Sequence, residues 1–487
     1  MSDGGEIAPG AGAAFPRWRV FPPIALGVIM ATLDASVVNI ALPTLQRQFA
    51  AAFTTVEWVV LAYSVTITGL LLSAGRLADL RGRRAVYATG LVIFTLASGL
   101  CGLSSSIGWL IAARVLQGIG AALVSANGSA LLVSAFPLAE RGKALGAFGA
   151  MVGVGLAIGS PLGGIVIAHA SWRWLFLVNL PLGALTLWLV RTRLAPDAPA
   201  AGAPPLDLAA AATWCAALGA LMLALSRGPA IGWRQPAVLA LFAAFALAIV
   251  AFAWIERRAR APMLPLHILF GPLGAAVALT LLSQAVTLAV GLHVPMYLEE
   301  VLHDDPQKSG LWNTILPLAA LCFAPLAGQL SDRPGARVLT TLGMAMTAAG
   351  CVVLALVGVA PTSLHLFGGL ALIGAGQGLF AVPNASALLS LVPRAQLGIA
   401  SGLQGTTRNL GFTCGAALMG GLMASRYAMH AHRPLDMTGG PMDVAGFAAA
   451  TRDAYLVLAA VAVVGTLMAA VQKRGRPAAA QARAAGA

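Results

Sequence analysis

The sequence predicts an all-α integral membrane protein: two six-helix bundles with two further transmembrane helices inserted between them, fourteen spans in all. Three observations carry that reading: a shortage of charge, long uncharged runs of helical length, and an internal repeat that skips the middle of the chain. Soluble chains carry about 25% Asp, Glu, Lys and Arg, whereas here charged residues make up 10% of 487 and hydrophobic ones 59%. A water-facing surface cannot be assembled from so few charges, which excludes an ordinary soluble enzyme and a disordered chain. The net charge of +13 would suggest nucleic acid in a soluble protein, but the basic residues lie between apolar runs and not along one face. No nucleic-acid partner is expected. The five cysteines are scattered through apolar runs and give neither a disulfide framework nor a zinc spacing.

A helix crossing a hydrocarbon core of about 30 Å needs about 20 mostly apolar residues. Residues 1 to 16 lack a basic n-region and read as a cytoplasmic tail, not a signal peptide. Uncharged runs at 20 to 46 (apart from Asp34), 58 to 75, 85 to 139 (broken by Arg114), 144 to 172 and 174 to 190 supply six helices, the third and fourth meeting near Ser104 to Gly108. A Pro- and Ala-rich linker follows Arg191, and runs at 208 to 226 and 235 to 255 supply the inserted pair. Runs at 261 to 298, 309 to 331, 338 to 393 (turning near Pro361), 395 to 425 (interrupted by Arg408) and 454 to 472 supply the last six. The expected units are therefore 1 to 191, a linker and inserted pair at 192 to 266, and 267 to 487. With both termini cytoplasmic, Arg81, Arg83, Arg84, Arg141, Lys143, Arg191, Arg193, Arg257, Arg258 and Arg337 all fall inside.

The stretch Gly75 to Arg84 after helix two recurs as Gly328 to Arg337 after helix ten, an offset of 253 that aligns Gly75 with Gly328, Asp79 with Asp332 and Gly82 with Gly335. Asn127 to Leu132 recurs as Asn384 to Leu389, and Gly163-Gly164 as Gly420-Gly421, both at 257. A duplicated six-helix unit, two halves facing each other, is the frame on which alternating-access transporters are built.

Charged residues inside a span are costly, about 2.5 to 3.5 kcal/mol on insertion scales, and normally face a bundle interior. Asp34 lies about halfway along helix one; it reads as a proton-titrating carboxyl or as the structural partner of a buried Arg. Arg114 in helix four cannot shed its charge, so it either biases a nearby acid or bonds backbone carbonyls. Arg408 in helix thirteen reads first as structural. In the repeated loop, Gly82 and Gly335 allow tight turns, Asp79 and Asp332 can accept from a helix N-terminus, and Arg81, Arg83, Arg84 and Arg333 hold the loop on the inner side. That set suits a conformational latch. Gly155, Gly159, Pro161, Gly163 and Gly164 in helix five suit close packing with a kink. Asn39, Tyr63, Gln117, Asn127, Gln284 and Asn384, with Arg408, are candidates for lining a midplane substrate cavity. No P-loop, metal cluster or catalytic constellation is legible, and His430 with His432 reads as solvated, without a carboxylate partner. Neither a cofactor nor a resident metal is expected.

These stretches resemble the major facilitator superfamily, most closely its fourteen-helix drug:proton antiporter branch. Gly75 to Arg84 is similar to the superfamily's signature loop, Arg114 to Gly120 to its helix-four motif and Gly159 to Gly164 to the exporter motif of helix five. Leu33 to Pro43 and Trp172 to Gly183 resemble signatures of the branch. The resemblance implies a major facilitator fold in a bacterial cytoplasmic membrane and multidrug efflux driven by a proton gradient. By position it implies proton titration at Asp34, coupling at Arg114, a gate at Asp79 with Arg83, and antiport bending at Pro161. The partners it implies are a lipophilic or amphipathic small molecule, protons and membrane lipid. Two departures are Ser160, where the exporter motif often has Gly, and a helix thirteen with Arg408 but no acid, against the acids of relatives that export strongly cationic drugs. The alternatives are a dedicated exporter of one metabolite or antibiotic, a membrane sensor with the same fold, and a membrane enzyme.

Overall fold

A computed structural model describes residues 17–51, 53–137, 140–195, 207–259, 264, 271–303, 306–330, 336–358, 363–392, 397–433 and 443–472. Among them the chain is helical throughout, without a strand. The long helices are α1 (Phe21–Phe49), α2 (Trp58–Arg81), α3 (Arg83–Gly102), α4 (Ile107–Ala135), α5 (Arg141–His169), α6 (Asn179–Arg193), α7 (Leu208–Ile231), α8 (Pro236–Arg258), α9 (Pro272–Val301), α10 (Ile315–Leu330), α11 (Ala336–Ala355), α12 (Ser363–Ser390), α13 (Leu397–Ala431) and α14 (Val444–Val471). Single-turn and two-turn pieces, Trp174–Leu177 and Pro306–Asn313, precede α6 and α10 where the sequence suggests unbroken spans.

Local chemistry sets the ends. Prolines occupy the first turns of α1, α8 and α9, where a missing N–H costs nothing. Ser106 caps α4 by accepting from Trp109 N at 3.3 Å, and Asp207 caps α7 by accepting from Ala209 N and Ala210 N at 2.9 and 3.0 Å. Gly82 and Gly232 turn the chain at φ of 92° and 96°, a region that side chains avoid. One sequence expectation needs correcting here. Gly75 to Arg84 is not a loop: α2 continues through Arg81 and α3 begins at Arg83, leaving Gly82 as the whole connection. Asp79 therefore sits on the last turn of a rigid helix.

Among the described residues, twelve helices are long and apolar enough to cross a membrane. The two long helices outside that set are α5, with 29 residues, and α13, with 35. Gln404, Thr406, Thr407, Arg408 and Asn409 at the centre of α13 lower its apolarity. The described residues of α5 give only a shorter apolar stretch, Lys143–Gly155.

In the first half α1 packs on α5, α2 and α3 pack on α4, and α6 lies against α3; in the second, α9 packs on α13, and α11 on α12 and α14. The repeat shows in the packing as well. A Cβ on Gly90 would meet the Gly120 carbonyl oxygen at 3.0 Å, and one on Gly343 would meet that of Gly376 at 2.6 Å, so both halves draw corresponding helices together through facing glycines. The halves meet along α2 against α13 and α5 against α10. The α7–α8 hairpin sits outside this seam: Cys215 Sγ on α7 donates to Gly69 O on α2 at 3.1 Å, and Pro229 near its far end meets Gly420 of α13. Leu239, Leu247, Val250 and Trp254 of α8 are exposed, as a lipid-facing helix requires.

Candidate functional site

Asp34 and Arg114 meet. Both are fully buried, and Arg114 NH1 donates to Asp34 Oδ2 at 2.6 Å. Two amides complete the carboxylate's shell: Gln117 Nε2 donates to Oδ1 at 2.9 Å and Asn179 Nδ2 to the same oxygen at 3.4 Å. Gln117 itself is fixed, because its Oε1 accepts from Arg114 NH1 at 2.6 Å while its Nε2 also donates to Ser98 Oγ at 2.8 Å. Every neighbour of the Asp34 oxygens donates, so the arrangement suits the ionised carboxylate. Arg114 has further partners of its own. Its Nε donates to Val59 O at 2.9 Å and its guanidinium lies 4.1 Å from the Tyr63 ring centroid and 5.8 Å from that of Phe176.

Two helix-five glycines set the neighbourhood. A Cβ on Gly155 would overlap Thr32 Oγ1, and one on Gly159 would come within 2.6 Å of Ser36 Cβ, so α5 lies against α1 on either side of Asp34. Gly163 is buried and Gly164 meets nothing within 4 Å. The side chains of Asn39, Ser160 and Pro161 lie outside the described residues, although residue 161 falls within α5.

At the end of the bundle that carries the basic turn, Asp79 crosses to the other half. Its Oδ1 accepts from Gly398 N and its Oδ2 from Ile399 N, each at 3.1 Å, at the N-terminus of α13, and Arg83 NH2 donates to Oδ1 at 2.9 Å. A carboxylate there satisfies orphan N–H groups and meets the positive end of the helix dipole. Gly75 makes the approach, since a Cβ there would overlap the Gly398 carbonyl. Deeper in, Ser129 Oγ and Ser401 Oγ bridge the halves at 2.6 Å, and a Cβ on Gly146 would meet Ala324 O at 3.1 Å. The two halves are closed on each other at this end. Arg84 donates to Arg191 O at 3.1 Å, Arg81 is exposed and Gly328 is buried. Asp332, Arg333 and Gly335 lie outside the described residues, so the second copy of the latch is not described.

The cavity candidates separate into groups. Tyr63 and Gln117 belong to the Asp34 network. Asn127 Nδ2 donates to Leu123 O at 2.7 Å, and Asn384 Nδ2 to Thr280 Oγ1 at 2.8 Å. Gln284 Oε1 accepts from Gln377 Nε2 at 2.8 Å, a partner that sequence reasoning missed, while Gln377 Oε1 accepts from Ser283 and Thr287. Arg408 is partly buried and makes no hydrogen bond or ion pair with the described residues. His430, which the sequence presents as solvated and without a carboxylate partner, has one in Asp453 Oδ2 at 3.0 Å. Also missed was His293, buried on α9, whose Nε2 lies 3.0 Å from Thr451 Oγ1 on α14. The Thr451 hydroxyl donates to Phe447 O at 2.8 Å, so it accepts from His293 and places the ring proton on Nε2.

An all-helical frame of two repeated halves that meet at one end is the architecture of a membrane transporter. The family model of the Major Facilitator Superfamily matches residues 24–293 and again 273–486, and the chain belongs to that superfamily. It is 36% identical to the uncharacterized transporter YebQ of Escherichia coli (strain K12), covering 83% of this chain and 88% of that one. It is also 36% identical to the multidrug resistance protein Stp of Mycobacterium tuberculosis, covering 82% and 74%. Among solved structures, a double-Trp mutant of XylE superposes with a TM-score of 0.68 at 17% identity, covering 94% of this chain and 97% of that one, a likeness of fold. The protein is a transporter, not an enzyme, and its relatives include multidrug and antibiotic resistance proteins.

Proposed function

We propose that the protein is a proton-coupled antiporter that exports amphipathic small molecules by alternating access. It would work in a bacterial cytoplasmic membrane, with fourteen spans, both termini cytoplasmic and the units 1 to 191, 192 to 266 and 267 to 487. The observation that supports coupling most is the asymmetry of the Asp34–Arg114 pair. Protonating Asp34 would end the ion pair, yet Arg114 would keep Val59 O, Gln117 Oε1 and the Tyr63 face. A carboxyl can therefore change charge without stranding the cation beside it. In the ionised state the pair ties α1 to α4. A proton arriving from outside would free α1 to move relative to α4 while it stays packed on α5 through Thr32 and Ser36. The gate at Asp79 supplies the second requirement, one end shut while the other is open.

Substrate-induced proton release from purified protein is the direct test. Adding a transported compound in weak buffer should release protons, and Asp34→Asn should release none. Compounds that bind tightly with no proton release from the wild type would overturn the coupling.

Counting α5 and α13 as spans rests on their length and on the way they pair, α5 with α1 and α10, α13 with α9 and α2, in the same layer as helices that are plainly apolar. Polar residues on helices that line the inside of a bundle depress hydropathy without preventing a crossing. A single cysteine near Gly232 should be labelled from outside, and one near Ala201 only from inside. Labelling of both from inside would reduce the inserted pair to a cytoplasmic domain.

A further inference from the structure

Arg408 is an intramembrane charge that neither the coupling pair nor the gate uses. It sits on α13, seven residues after Ser401, whose hydroxyl meets Ser129 of the other half. Seven residues on an α-helix return to nearly the same face, about 10.5 Å further along. Arg408 thus projects from the surface that faces the opposite half, two residues past Thr406, whose hydroxyl donates to Thr68 O on α2 at 3.4 Å. Neighbouring positions agree. Gly402 and Gly405 of α13 abut Leu71 on α2, while Gly411 and Gly415 abut Leu281 and Ala285 on α9, so Arg408 stands where α13 exchanges one neighbour for the other. It is in electrostatic reach of Tyr63 on α2, whose ring faces the Arg114 guanidinium.

No acid answers it. Asp34 is committed to Arg114, Asp79 to Arg83 and the α13 N-terminus, and Asp453 to His430. Glu256 accepts from Leu264 N at 3.0 Å. The polar groups of the second half nearest the midplane, Gln284, Gln377, Ser283 and Thr287, are bonded to one another. With Asp34 ionised, the pair with Arg114 sums to zero, and Arg408 leaves one positive charge on the face of α13 that meets the other half. A guanidinium cannot shed that charge, and its planar fork matches the oxygens of a carboxylate, sulfonate or phosphate.

We propose that Arg408 is the counter-charge for an acidic group on the cargo, so that the exporter selects amphipathic organic anions over cations. The assignment rests on the export reading above and adds the charge of the substrate to it. It also gives Arg408 a reason to stand on a span without an intramolecular partner, since the substrate supplies one.

Fluorescein and rhodamine 6G, xanthene dyes of similar size and opposite charge, test it by equilibrium binding to purified protein in detergent at pH 7.5 with no gradient. The wild type should bind fluorescein at least 10-fold more tightly than rhodamine 6G, about 1.4 kcal/mol. Arg408→Gln should remove that preference, and Arg408→Lys should retain part of it. Asp34→Asn leaves the Arg114 charge uncompensated and should keep or widen the preference while abolishing substrate-induced proton release, which separates failure of this assignment from failure of proton coupling. Equal or reversed preference in the wild type, or no binding of fluorescein, would overturn it without any variant. An Arg408→Gln protein with unchanged melting temperature and unchanged fluorescein affinity would overturn it too.

Discussion

Asp34→Asn should abolish uphill, proton-driven export while leaving folded protein in the membrane. The geometry sets the size of both effects. Asparagine keeps the shape and keeps a carbonyl for Arg114 NH1, now 2.6 Å from Oδ2. On the other side its amide faces the Gln117 and Asn179 amides, which donate to Oδ1 at 2.9 and 3.4 Å. One frustrated contact of this kind costs about 1 to 3 kcal/mol. That is less than the 3 to 5 kcal/mol typical of breaking a buried ion pair, because Arg114 retains its carbonyl and ring partners. The melting temperature should therefore fall modestly. Transport against a pH gradient should fall to background, because no group at this site can then be charged in one state and neutral in the other. Asp34→Glu should keep part of the activity. Downhill exchange by Asp34→Asn should persist, and proteoliposomes with imposed pH gradients, read beside size exclusion, separate these outcomes. Normal uphill export by a well-folded Asp34→Asn protein would falsify the proton-site assignment.

How much of this was legible beforehand depends on range. Asp34, Arg114 and Asp79 stood out because charge inside or beside an apolar run is expensive and therefore conspicuous. Their partners did not stand out. Asn179 reaches Asp34 across 145 residues only because α6 begins there after a one-turn break, and nothing in the local pattern distinguishes that Asn from a capping residue. Gln117 reads from the sequence as a polar cavity candidate, and in the structure it holds both members of the ion pair, since a position three residues from Arg114 faces the same way. The Gly82 turn was read correctly, but the flanking charges suggested a loop where α2 runs on to Arg81. Charged residues at helix ends look like loop residues in any count based on apolarity. For the same reason α13 falls outside the apolar set: its polar centre faces protein.

The glycines between the halves carry the other large effect. Gly75 lies inside α2, where Ala would favour the helix by about 1 kcal/mol, so Gly75→Ala should fold at least as well as the wild type. Its Cβ, however, would overlap the Gly398 carbonyl and come within 3.1 Å of Ile399 N, backbone atoms at the start of α13 that cannot swing aside. The clash exists only while the halves are closed at this end. Overpacking of about 1 to 3 kcal/mol applied to one state alone shifts the population about 5- to 150-fold. Cysteines at 129 and 401, where the serine oxygens stand 2.6 Å apart, report that state by disulfide formation once the five native cysteines are replaced. Cross-linking should slow by at least about 5-fold in Gly75→Ala, and turnover should fall with it, while the melting temperature holds or rises. Asp79→Asn should slow the same cross-link by loss of attraction, since it removes the charge that binds Gly398 N and Ile399 N without adding bulk. An Ala variant that cross-links and turns over like the wild type would show that the α2–α13 contact is not the gate.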